Sequence, residues 1–111
     1  METRALDFSQ VDSLEKAQAL LSAGKLERLF LFPPEFGGQD IPRNVLYVPP
    51  GIAAIKQRID SMIQDLVNQG QVTKYEAQPE YKGDSFIPTK IKIAASHHEK
   101  GGGVNPVINI W

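Results

Sequence analysis

The chain contains no cysteine in its 111 residues. That excludes a disulfide framework, a thiolate zinc site, an iron–sulfur cluster and a cysteine nucleophile. It also lacks an excess of charge of either sign. Twelve Lys and Arg stand against thirteen Asp and Glu, a formal net charge of −1. A general binder of nucleic acid or of anionic membrane wants a marked positive excess, so neither is an expected partner. No apolar run approaches the roughly 20 residues of a membrane-spanning helix. The start, METRALDFSQ, has no basic segment followed by an apolar stretch and does not read as a secretory signal. A cytoplasmic protein of bacterial type is the expectation. No G-x-S-x-G elbow, P-loop or G-x-G-x-x-G is present, so no cofactor is called for.

What is present is an ordinary globular composition, 41% hydrophobic and 23% charged. The length suits one domain, residues 1–111, with a core that buries about 65% of the unfolded chain's surface. Leu6 and Phe8 alternate with polar neighbours and suggest a short first strand. Asp12 lies three residues before Glu15, a capping-box spacing, and Leu14, Ala17, Leu20 and Leu21 follow at helical intervals up to Gly24. The spacing predicts a helix over about 12–23. Leu26 to Phe32 reads as a strand ended by Pro33 and Pro34, and Asn44 to Val48 as a second. Between them, PPEFGGQDIPR is loop.

Ile52, Ile55, Ile59, Met62, Ile63, Leu66 and Val67 then mark one helical stripe, with Lys56, Arg58, Asp60 and Asp65 mostly off it and Gly70 as the stop. Strands are predicted over 71–78, 86–95 and 104–111, the last ending on a docked Trp111. The fold class is therefore α+β: a mainly antiparallel sheet with one long helix packed on it, in the order (β)αββαβββ.

Candidate residues are few. His97 and His98 are adjacent, and on a strand they would point to opposite faces and could not easily share one metal. Their Gly-rich surroundings read as an exposed loop, with one imidazole left open as a general base. Glu35, between Pro34 and Phe36, is left open as partly buried, but like the other loop carboxylates it reads first as solvated surface charge. Phe36-Gly37-Gly38 suggests positive φ or close backbone approach, which a tight connection or a ligand would each explain. Lys90 and Lys92 share a strand face that Lys74 could join, with Tyr75 as a stacking group. The other carboxylates, Asp60 among them, read as solvated surface charge.

One pattern runs through the middle of the chain: Phe36-Gly37-Gly38, Asn44, Pro49-Pro50, the long helix, Gly70-Gln71-Val72, and Pro79-Glu80-Tyr81-Lys82-Gly83-Asp84-Ser85 with Pro88 behind. It resembles the non-specific DNA/RNA endonucleases of the ββα-metal class, in the form found as bacterial toxin domains, over about residues 29 to 110. The resemblance implies a strand leading to a catalytic His, a Gly-Gly segment with an Asn, and a helix carrying metal-site residues. The sequence departs from that pattern where chemistry would occur. The family's Gly-His pair falls on Leu29 and Phe30, its metal-holding Asn near Ala53, and its following Glu near Asp60 or Ser61. A Phe takes no proton and an Ala ligates no metal. Asn44 matches an Asn of the pattern and is expected to shape the loop.

The expectation is thus a non-catalytic interaction or accessory domain, a nuclease-like fold without its active site, with no metal. It would bind another protein or itself as a homodimer through the terminal strand. The candidate binding residues are Glu35, Phe36, Gly37, Gly38, Asn44, Lys90, Lys92, His97 and His98. The alternative is a divalent-metal-dependent nuclease with a rearranged site using His97 or His98.

Overall fold

A computed structural model of the chain describes residues 7–111. The first helix, α1 (Leu14–Ser22), begins at Ser13, whose hydroxyl accepts from Lys16 N at 3.2 Å. Ser13, not Asp12, is therefore the cap. Asp12 instead pairs with Lys16 Nζ at 2.7 Å, one turn on. Leu6 lies outside the described residues, and Phe8 sits in a turn where a strand was expected, its ring edge-on to Trp111.

Strands β1 (Glu27–Phe30) and β2 (Val45–Val48) pair antiparallel in a sheet of their own, with Leu29 opposite Leu46. The helix α2 (Ile52–Asn68) follows at once. Its first turn has no side-chain cap of its own. Glu27 reaches over from β1, its Oε2 accepting from Ala53 N at 2.9 Å. A carboxylate there satisfies an orphan donor and suits the positive end of the helix dipole. Gly70 ends the helix as predicted: Gln71 N bonds Leu66 O at 2.9 Å across the terminal turn.

The second sheet is built on β4 (Lys90–Ser96). On one side it pairs with β3 (Lys74–Glu80), on the other with β5 (Gly103–Val104) and β6 (Val107–Asn109), all antiparallel. β5 and β6 keep a single register, with Ala95 opposite Val104 and Ile91 opposite Ile108. They are one strand interrupted at Asn105-Pro106, because Pro106 has no N–H to give the ladder. Pro79 is tolerated in β3 because β3 is an edge strand.

The α+β class and the antiparallel pairing hold, with two α-helices and two sheets among the described residues. No strand forms at residues 7–11, Leu6 of the expected first strand lying outside the described residues, and the strands divide between two sheets. The hairpin, α2 and the inner face of the second sheet share one core, including Leu29, Leu46, Ile63, Ile91, Ile93 and Ile108. Fully burying such a side chain contributes about 1.5–3 kcal/mol. A second cluster of Val11, Ala17, Leu26 and Ile87 seats α1 against the connection after β3. Trp111 is docked beside it, its Nε1 donating to Ile87 O at 3.0 Å. No helix among the described residues is long and apolar enough to cross a membrane.

Candidate functional site

The side of α2 that enters the core is rotated from the apolar stripe. Lys56, Asp60 and Ile63 are its buried residues, whereas Ile55 and Met62 are 41% and 45% exposed. Positions 56, 60, 63 and 67 fall on one line of a helix with 3.6 residues per turn. The middle of that line carries a charge pair. Lys56 is 2% exposed and Asp60 5%. Asp60 is therefore not the solvated charge expected of it.

Burying two charges is tolerable only with full pairing. Lys56 Nζ donates to Asp60 Oδ2 at 2.7 Å and to Tyr75 OH at 3.1 Å, and Tyr75 OH donates to Asp60 Oδ1 at 2.7 Å. The three residues close a triangle between α2 and β3. Every buried side-chain N or O among the described residues has a hydrogen-bond partner. Burial pushes the Lys56 ammonium below its ordinary value of 10.5, opposed first by Asp60 and then by Glu35. Burial, the bond to Asp60 and the Glu35 charge together push the Tyr75 phenol far up. Near neutral pH Tyr75 is a phenol and donates.

This triangle borders a cleft of about 190 Å³ between β1 and α2, whose lining includes Leu29, Phe30, Glu35, Ala53, Lys56 and Asp60. Glu35 sits on the short turn Pro34–Phe36, is exposed, as the solvated reading has it, and lines the cleft. Phe36 turns the other way. Its ring lies 5.1 Å from that of Tyr75, and Phe32 lies 5.6 Å from the same ring.

The connection that carries Glu35 is held from within. Gly37 has φ +94°, and at Gly38 a Cβ would fall 1.8 Å from Phe32 O. Both glycines have a structural reason, the one left-handed backbone and the other close approach. Asn44 is buried, and its Oδ1 accepts from Phe32 N at 2.7 Å. Its Nδ2 donates to Phe32 O at 3.0 Å and Gln39 O at 2.9 Å. Asn44 shapes the loop and spends its amide on backbone.

The other candidates lie elsewhere. Lys74, Lys90 and Lys92 do share the outer sheet face, but Glu76 and Glu80 alternate with them, and Lys92 Nζ meets Glu80 Oε2 at 2.7 Å. Tyr75 belongs to the inner face, so it offers that surface no stacking group. His97 and His98 fall in the turn after β4, off the strand, so the opposite-face rule does not govern them. Their rings stack at 4.9 Å with 12° between planes. His97 Nδ1 accepts from Glu99 N and Lys100 N, both at 3.0 Å. His98 Nδ1 lies 2.9 Å from Thr73 Oγ1. Among the described residues, no three of His, Asp and Glu come together as a metal-binding group.

The structure therefore brings Glu35 to the cleft, while Phe36 packs on Tyr75, with Gly37, Gly38 and Asn44 holding their connection. Lys90, Lys92, His97 and His98 do not line it. Lys56, Asp60 and Tyr75 were missed as a group. The signal for the first two was their i,i+4 spacing in line with Ile63; nothing local pointed to Tyr75. No protein-family model matches the chain. No curated protein matches it significantly either.

Proposed function

We propose that the chain is a non-catalytic protein-interaction domain of bacterial type on a nuclease-like hairpin-and-helix scaffold, the acid of its cleft paired with its own side chains. One observation carries this reading. The positions to which the resemblance assigns the catalytic His, the metal-holding Asn and the acid, Leu29-Phe30, Ala53 and Asp60, line one cleft. There the first three have no reactive group, and both oxygens of Asp60 are taken by Lys56 and Tyr75. A water or a cation at that carboxylate would compete with a buried ammonium on one oxygen and a phenol on the other.

The hairpin β1–β2 followed directly by α2 also supports the kinship. The interaction half of the reading rests on surface. Val107 is 48% exposed on β6. Beyond β5 and β6 no further strand pairs among the described residues. An open ladder of this kind is a template for a second strand, here a second copy or another protein. Light scattering during size exclusion at several concentrations, beside capture of partners on immobilised protein, tests it. A concentration-dependent dimer or a stoichiometric partner is expected. A strict monomer that retains nothing contradicts it.

A further inference from the structure

The turn between β4 and β5 is closed by one imidazole. His97 Nδ1 accepts two backbone N–H groups, from Glu99 and Lys100 at 3.0 Å each. A ring nitrogen that accepts carries no proton, so His97 here is neutral, with its hydrogen on Nε2. Little else holds this turn. Gly101 and Gly102 contribute no side chain, and β5 pairs only Ala95 with Val104 and Ser96 with Gly103. The second anchor is Thr73, whose Oγ1 accepts from His98 N at 2.9 Å.

We propose that His97 is a proton-operated latch: neutral, its Nδ1 closes the 97–102 turn, and protonated, it opens the turn and frees the β5 end of the sheet. Protonation at Nδ1 turns the acceptor into a donor facing two donors, which no small rotation repairs. The groups around the ring favour the neutral form. His98 stacks on it and Lys100 follows in the turn, while from β3 Lys74 lies opposite Ser96. The one nearby carboxylate, Glu99, is turned to His98, with Oε1 3.4 Å from Nε2. β5 presents no titratable side chain. Partial burial, then His98 and Lys100, hold His97 below its ordinary 6.5. The folded-state value is depressed, so closure is complete near neutral pH and is lost as pH falls through that value. Opening would bare the β4 edge at Ala95 to another strand. This inference does not depend on the proposed function.

Amide hydrogen exchange followed by NMR between pH 7.5 and 5 tests it on the full chain, after correction for the intrinsic pH dependence of exchange. If the protonated ring cannot close the turn, protection of Glu99, Lys100 and Val104 falls about tenfold per pH unit below the His97 titration. Ile91 and Ile93 should keep theirs, which separates opening from unfolding. His97→Asn places Oδ1 where Nδ1 was and does not titrate, so it should stay protected throughout. His97→Ala should be open at both ends of the range. Unchanged protection in the wild type while the ring titrates overturns the latch. So does a His97→Asn variant that opens with acid, or a His97→Ala variant that stays closed.

Discussion

Lys56 and Asp60 meet at 2.7 Å one helical turn apart, and theirs is the buried ion pair of the described residues; the Lys–Asp, Lys–Glu and Arg–Asp pairs elsewhere are exposed. The order, cation before anion, is the less favourable one for an isolated helix. The pair therefore serves tertiary structure, tying α2 to β3 through Tyr75.

Removing one partner should be costly and removing both should not. Lys56→Met leaves a carboxylate buried with only a phenol, and a loss of about 3–5 kcal/mol in urea unfolding is expected. Lys56→Met with Asp60→Leu should recover most of it, since apolar replacements of buried pairs are often neutral or stabilising. A double variant as unstable as the sum of the single ones would contradict the account of the triangle.

Alkaline pH should expose Tyr75. Its folded-state pKa is raised above the ordinary 10.0, so the folded state holds its proton longer than the unfolded state does. The stability this contributes is complete below about pH 10 and is lost as pH rises beyond it. Lys56, with a depressed value, acts in the opposite sense: stability rises with pH from that value up to about 10.5. Denaturant midpoints between about pH 10.5 and 12, above the range in which Lys56 acts, should show a wild-type decline that Tyr75→Phe flattens. Parallel curves would remove Tyr75 as its source.

Asn44→Ala should destabilise without touching the core. It strands the Phe32 N–H and two carbonyls inside the connection, and one buried unsatisfied group costs about 1–3 kcal/mol. Asn44→Asp sets a buried carboxylate oxygen against the Phe32 and Gln39 carbonyls, so it should lose at least as much. Thermal melts of the two variants order them.

The outer sheet face should bind nucleic acid weakly or not at all. Lys74, Lys90 and Lys92 alternate with Glu76 and Glu80, and counterion release needs uncompensated cations. Fluorescence anisotropy with a labelled duplex at low salt should show no saturable binding. Tight binding that weakens steeply with salt would overturn this.

Much of the fold was legible because local signals agreed. The Ile-rich stripe and Gly70 fix α2, and the Pro pairs end both hairpin strands. The division into two sheets was not legible, since it depends on which strands the long 81–89 and 31–44 connections bring together. The hold of Asn44 on the loop follows from the turn chemistry of its amide. The Lys56–Asp60–Tyr75 triangle was obscured for a physical reason. Charged side chains are ordinarily assigned to solvent, and only a contact between α2 and β3 makes these three satisfy one another. Adjacent histidines drew attention as chemistry, yet their nitrogens serve a turn.

The most direct measurement is incubation of the purified protein with plasmid and with RNA in Mg²⁺ or Mn²⁺, beside Asp60→Asn and a His97→Ala/His98→Ala double variant. The account predicts no cleavage by the wild type above that of either variant. Cleavage by the wild type that either variant abolishes would contradict it, and would place a working site on Asp60 or on the histidine pair.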